Sequence, residues 1–361
     1  MKKLWIGLIA VVLVIVIGLG WWFLGKQEKK EETVKIGAVL PLTGKYADAG
    51  NSVKAGLEIS IRELEKTSDK KYDIIYYDTK SEVKNAVSGY QKLKSIDKVS
   101  IYFTNMSDHC LALKPLAIQD TSLLFCIASH AEITNNNANL VFRPANTGID
   151  EANYMIDYIT ESINDPKIFF YAFNTEAGID LANTFKEKLS TNLTGTCLYD
   201  ENVSIVRNIT TKSYFKDANC IVVIGFSPIM GLIVKSLRES GYKNLILTNV
   251  GFNNPSVIES AGDYAKSVLY VDHDFPYNSK EHSVRDSIAL TEFRASFTVM
   301  SYVTFASLFI IDDALHNVNG KNMMDVGKYI STHGEYNIEG MKFTPHLDGS
   351  ITSVLKFREI E

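Results

Sequence analysis

Short β-branched and aromatic runs alternate along this chain with longer stretches whose apolar residues recur at helical spacing. Residues 34–40 predict a strand, and residues 48–65 predict an amphipathic helix with Val53, Leu57, Ile61 and Leu64 on one face. A strand at 73–77, a helix at 82–93, a strand at 99–103, a helix at 107–118 and a strand at 122–127 follow. Strands alternating with helices in this way imply a parallel sheet covered on both faces. Pro144, Ala145 and Asn146 interrupt the series. A second series then runs helix 150–163, strand 167–173, helix 179–189, strands 196–199 and 220–225, helix 228–240 and strand 245–248. Near 268–275 the chain crosses again, and a long apolar helix is expected around 302–318. In residues 340–361, Asp348 and Gly349 between two extended runs signal a hairpin.

At 361 residues the chain exceeds what one compact core usually holds, which agrees with two α/β units. Its 37 Lys and Arg against 42 Asp and Glu give a net charge of −5. No basic stripe is apparent, so nucleic acid is not an expected partner. Ahead of the first strand, residues 4–24 carry no charge. At about 1.5 Å rise per residue this run reaches about 30 Å, enough to cross a bilayer as a transmembrane helix. Trp21 and Trp22 stand at its end, where indoles anchor, and Lys26 follows. The length of the run favours an uncleaved membrane anchor over a cleaved signal segment, for which Gly18 and Gly20 would serve as small residues at the cleavage site. The basic start, Lys2 and Lys3, puts the soluble region outside the cytoplasm, beyond a charged tether at 25–32. No Cys follows the run to carry a lipid.

Open parallel sheets bind ligands at the carboxyl ends of their strands, where helix N-termini present free N–H groups. The first such edge, residues 41–50, lacks a phosphate loop; Gly44 permits a turn, Gly50 permits close helix packing, and Tyr46 offers an apolar face with a hydroxyl. The second edge holds Asn105, Ser107 and Asp108, of which Ser107 or Asp108 also suits a helix cap. The third holds Ala128, Ser129 and His130. In the second series the edges carry Glu176, Phe226 and Asn249. Among Cys110, Cys126, Cys197 and Cys220, the first two belong to neighbouring edges, so a Cys110–Cys126 disulfide is the preferred pairing and free buried thiols are the alternative. There is no C-x-x-C pair, no His pair at i, i+4 and no G-x-S-x-G, so no metal, cofactor or catalytic role is expected.

Residues 35–65 (KIGAVLPLTGKYADAGNSVKAGLEISIRELE), 76–93 (YYDTKSEVKNAVSGYQKL) and 126–159 (CIASHAEITNNNANLVFRPANTGIDEANYMIDYI) resemble the type I periplasmic binding proteins. The branch nearest to them binds branched-chain amino acids. The resemblance implies two doubly wound parallel-sheet lobes joined by three crossovers, with residues 33–145 and 275–340 in lobe one and 146–274 and 341–361 in lobe two. It implies capture of a small-molecule ligand between closing lobes, without chemical conversion, for an ABC permease and ATPase supplied by other chains. The alternatives are a sensory module signalling through a membrane partner and a degenerate lobe pair that binds a partner. Carried over by position, the family's serine at the second edge falls on Ser107, and its Ser-Ala-Thr loop falls on Ala128, Ser129 and His130. The acidic residue that holds an amino-acid ammonium falls on Val250. A buried ammonium without that carboxylate forgoes a charged hydrogen bond worth roughly 1.5–3 kcal/mol. A conventional α-amino acid is thus a poor ligand on this reading unless Glu176 or Asp108 substitutes.

Overall fold

The computed structural model describes residues 33–200, 215–225, 227–318 and 322–360; the expected anchor, its tether, Phe226 and the side chain of Glu176 lie outside the described residues. The first series builds strands β1 (Thr33–Leu40), β2 (Lys71–Asp78), β3 (Ile101–Asn105), β4 (Leu123–Ile127) and β5 (Val141–Phe142), with helices α1 (Ala47–Leu64), α2 (Val83–Lys92) and α3 (Ser107–Gln119) between them. The strands form one parallel sheet in the order β2-β1-β3-β4-β5. Period-two alternation sends Ile36, Ala38, Leu40, Ile101 and Phe103 to one face and Val39 and Tyr102 to the other. Both faces are buried, as a parallel sheet requires.

The second series builds α4 (Gly148–Ser162), β6 (Ile168–Phe173), α5 (Glu176–Leu189), β7 (Leu193–Tyr199), β8 (Cys220–Ile224), α6 (Pro228–Glu239), β9 (Leu245–Thr248), α7 (Pro255–Ala261) and β10 (Leu269–His273). The chain then returns through α8 (Lys280–Ile288), α9 (Val299–Asn317) and α10 (Met323–Thr332) to short strands β11 (Tyr336–Ile338), β12 (Met341–Pro345) and β13 (Ile351–Ser353), and ends in β14 (Leu355–Glu359). The second sheet has the order β14-β10-β9-β8-β6-β7, parallel except for β14, which runs antiparallel to β10. It has its own apolar cores, with α4 and α5 on one face and α6 and α7 on the other. Helix α9 is long and apolar enough to cross a membrane, but most of it is buried against α1 and the first sheet. Gly56 makes that contact close: a Cβ there would stand 2.5 Å from the Ser301 carbonyl oxygen.

The hairpin at Asp348-Gly349 is present as β12–β13, with Gly349 at φ +84°. Its position corrects the expected division at residue 341. Met341, Phe343 and Ile351 join the core beneath the first sheet, and the chain passes to the second sheet only at β14. The reason is the period-two burial of β12, which puts its apolar residues on the face against the first lobe.

Three segments connect the lobes, and they are stapled together. Asn146 Oδ1 accepts from the Ser353 backbone N–H (3.0 Å) and hydroxyl (3.1 Å), while Asn146 Nδ2 donates to the Ser353 carbonyl (3.2 Å). His273 Nδ1 lies 2.6 Å from Ser353 Oγ. Asp274 N–H donates to the Val354 carbonyl at 2.8 Å. The chain leaves the first sheet after β5 and leaves the second after β10, in each case from carboxyl ends. Both carboxyl rims therefore meet at the junction.

Candidate ligand-binding site

The first-lobe rim is built from the turns after β1, β3 and β4. Gly44 adopts φ +90°, and a Cβ on Gly50 would stand 2.2 Å from the Pro41 carbonyl oxygen, so α1 seats on the turn only with glycine there. Asp78, at the end of β2, holds this turn by accepting from the N–H groups of Leu42 (2.9 Å) and Thr43 (3.1 Å) and the Thr43 hydroxyl (2.6 Å). Those bonds hold its carboxyl below the usual range, although burial opposes them. Tyr46 is exposed, with the Lys45 ammonium 5.0 Å from its ring centroid.

At the end of β3, Asn105 is fully buried, and among the described residues neither its amide oxygen nor its amide nitrogen has a hydrogen-bond partner. Met106 follows at φ +68°, a conformation that strains a residue with a Cβ. Ser107 is half-buried and opens α3, so the cap position falls on Met106 and no side chain caps the helix there. Asp108 is exposed, and its Oδ1 accepts from His109 N–H at 2.8 Å. His109 is buried, which lowers its pKa despite the neighbouring Asp108, and its Nδ1 has no partner among the described residues. Neither α1 nor α2 has a side-chain cap at this rim either, so backbone N–H groups of three helices remain available.

Ala128 is half-buried, Ser129 is exposed, and His130 caps the short helix Ala131–Ile133, its Nδ1 accepting from Glu132 N–H at 3.3 Å. That bond commits one face of the His130 ring to structure. Cys110 and Cys126 meet as expected, but as free thiols in hydrogen-bonding contact rather than as the preferred disulfide. Full burial raises the Cys110 pKa well above the usual thiol value and favours the neutral thiol.

In the second lobe, Asn249 is buried and its Oδ1 accepts from Gly225 N–H at 3.1 Å, which ties the ends of β8 and β9 together. Ser227 Oγ and Thr248 Oγ1, at the ends of these same strands, are buried and have no hydrogen-bond partner among the described residues. Pattern reasoning missed Glu151. In the first turn of α4 it is 5% exposed, and its Oε2 accepts from Val250 N–H at 3.2 Å. Burial pushes its carboxyl up to about 8. Asp272 on β10 is likewise pushed up to about 6 by burial, but Arg358 Nε lies 3.3 Å from its Oδ2 and offsets part of that shift. Among the described residues no group of three or more metal-ligating side chains occurs.

Among the described residues, several buried polar atoms without a hydrogen-bond partner lie at or next to the strand ends, those of Thr79, Asn105 and His109 in one lobe and Ser227 and Thr248 in the other, while others, such as those of Asn153, Ser331 and Tyr336, lie elsewhere in the fold. Buried polar groups are normally paired, so the two rims are the candidate surfaces for a further molecule.

Known proteins share sequence or fold with this chain. A Leu/Ile/Val-binding protein homologue from Brucella melitensis is 22% identical over 245 residues, covering 66% of this chain and 66% of that protein, so the matched stretch falls just short of two thirds of the relative's length. A branched-chain amino acid transporter substrate-binding protein of Streptococcus pneumoniae, solved with isoleucine, superposes with a TM-score of 0.75 at 18% identity, over 91% of this chain and 97% of that one. A solute-binding protein of an ABC transporter from Rhodopseudomonas palustris, solved with 3,4-dihydroxybenzoic acid, gives 0.75 at 18% identity, over 92% and 94%. The matching architecture is the type I periplasmic binding fold. With the family model for periplasmic binding proteins matching residues 33–323, the chain belongs to the periplasmic binding protein family.

Proposed function

We propose that this protein is an extracytoplasmic, membrane-tethered solute-binding protein that captures a small polar metabolite between its lobes and delivers it to an ABC-type permease and ATPase. It performs no chemistry on its ligand. The observation that carries this reading is the set of buried, unpartnered polar atoms at both strand-end rims. A ligand that pairs them in both lobes at once binds the closed arrangement better than the open one and shifts the population toward it.

In the first lobe, Asn105, Ser107, Asp108 and the uncapped α3 N-terminus offer donors and acceptors, flanked by Tyr46 and by Ala128, Ser129 and His130. In the second, Asn249 positions the rim, and the sequence offers Glu176 and Phe226 as further contacts. Residues 4–24 hold the assembly at the membrane.

The test is thermal melting of the full chain against a metabolite panel that includes leucine, isoleucine, valine and 3,4-dihydroxybenzoate. A true ligand at about 100 times its Kd stabilises by about 2.7 kcal/mol. Asn105→Ala removes an amide that forms no hydrogen bond among the described residues, so it should lose the ligand-induced shift while changing the unliganded stability by no more than about 1–2 kcal/mol. A broad panel that leaves the melting temperature unchanged removes the solute-binding reading.

A further inference from the structure

We propose that a second small-molecule site lies beside the lobe junction, where the guanidinium of Arg143 and the carboxylates of Asp150 and Asp348 bind an uncharged polyhydroxy compound. The inference goes beyond capture of a metabolite between the rims. The cavity there measures about 470 Å³, within the range of about 300–1,000 Å³ usual for small-molecule sites. Ala131, Thr134 and Asn135, past the end of β4, form one wall, and the hairpin residues His346, Asp348 and Ser350 form another. The start of α4, with Thr147, Ile149 and Asp150, completes it from the second lobe. Ile149, His346 and Asp348 are exposed, so the cavity is open to solvent. Asn105, Ser107, Ser129 and Asn249 do not line it.

Arg143 also lines this cavity and is 4% exposed. Its backbone is fixed to the hairpin: its N–H donates to the Gly349 carbonyl at 3.0 Å, and its carbonyl accepts from Ile351 N–H at 2.9 Å. A guanidinium carries five N–H donors. Among the described residues this one makes a single hydrogen bond, from Nη1 to the Ala145 carbonyl at 2.6 Å, and its Nε is buried without a partner. No carboxylate forms an ion pair with it there. A buried guanidinium is normally paired, because its desolvation is otherwise uncompensated.

The two carboxylates nearby are each half used. Asp150 Oδ2 accepts from Thr147 N–H (2.7 Å) and hydroxyl (2.8 Å), and Asp348 Oδ1 accepts from Ser350 N–H (2.9 Å) and hydroxyl (2.6 Å). The second oxygen of each makes no hydrogen bond among the described residues. Burial lowers the Arg143 pKa and these two charges oppose it, so they act on the guanidinium across a gap. That gap sets the class of guest. An anion drawn to Arg143 meets two carboxylates, and a cation drawn to them meets Arg143. A hydroxyl suits both, since its oxygen accepts from the guanidinium while its proton goes to a carboxylate. Several hydroxyls on one small frame replace several separately held waters. The exposed Ile149 side chain offers the carbon frame an apolar face.

The experiment is titration calorimetry and thermal melting of the full chain with glycerol, ribose, glucose and myo-inositol. Millimolar concentrations keep the probes below the level at which polyols stabilise any protein by exclusion. At least one polyol should bind saturably and raise the melting temperature, and acetate and methylammonium should do neither. Arg143→Gln should weaken that binding roughly 10- to 100-fold, the weight of one charged hydrogen bond. Ile149→Trp fills the cavity from an exposed position, so it should block binding without disturbing the core. Acetate binding as tight as that of the polyols, or no saturable binding by any of the four, overturns the inference. So does polyol binding that survives both substitutions; if Asn105→Ala then abolishes it, the polyol occupies the rims and solute binding stands.

Discussion

Glu151→Gln makes a prediction that needs no ligand. Glutamine keeps the shape of the side chain and an oxygen to accept from Val250 N–H, but it cannot ionise. In the folded protein, burial moves the Glu151 carboxyl from its ordinary value of 4.5 up to about 8. Between those values the folded state holds a proton that the unfolded state has lost, so stability falls as pH rises. The slope approaches about 1.4 kcal/mol per pH unit, and the whole window amounts to something on the order of 4–5 kcal/mol. Asp272 and His273 also titrate away from their ordinary values, near 6 and 4 respectively; His273 is common to both proteins and cancels in the difference, while the repulsion between Asp272 and an ionised Glu151 is part of the difference measured. The assay is urea denaturation of the two proteins from about pH 5 to about pH 9. Their difference in unfolding free energy should grow in favour of glutamine as pH rises, reaching several kcal/mol at the alkaline end. A difference that does not change with pH refutes the reasoning, because it would mean that the Glu151 carboxyl is hydrated or paired.

Two further outcomes test the junction and the thiols. Ser353→Ala removes the 2.6 Å contact with His273 Nδ1 and the hydroxyl bond to Asn146, orphaning a buried imidazole nitrogen. Calorimetric melting should show a loss of about 1–3 kcal/mol, and an unchanged melting temperature would mean that the staple carries no weight. Ellman's reagent applied to the folded protein should find the half-buried Cys197 and spare the buried Cys110, Cys126 and Cys220 until urea is added; burial also pushes the Cys220 thiol up to about 12. A denatured, unreduced count of two thiols rather than four would show that Cys110 and Cys126 had joined after all.

Much of the frame is legible from pattern alone. The strand expected at 34–40 lies within β1, and the helix expected at 48–65 is α1 displaced by one residue, because alternation and helical spacing are local consequences of burying one face. Helix α8 escaped notice for the opposite reason. Lys280–Ile288 is polar along most of its length, and its buried member is Arg285, held by Glu339 at 2.6 Å and by the Phe305 ring. No periodicity of apolar residues announces such a helix. The hairpin at Asp348-Gly349 was visible as a turn, but its membership in the first lobe was not, since a turn signal carries no information about which sheet its strands will cover.

At the candidate site the division is the same. The sequence alone determined which strand ends carry polar residues, because a turn after a strand is written in a few adjacent positions. It placed Asn105, Ser107 and Ser129 at such ends, and it brought Cys110 near Cys126. Tertiary structure decided what those residues lack or already have: Asn105 has no partner among the described residues, His130 has a capping bond, and Asn249 ties two strands. Glu151 is the plainest case. In sequence it is an acid in the first turn of a helix, where the macrodipole alone would account for it. Only the packing of α4 against β9 and β10 turns it into a buried carboxyl, because burial and the dielectric that comes with it depend on residues about a hundred positions away.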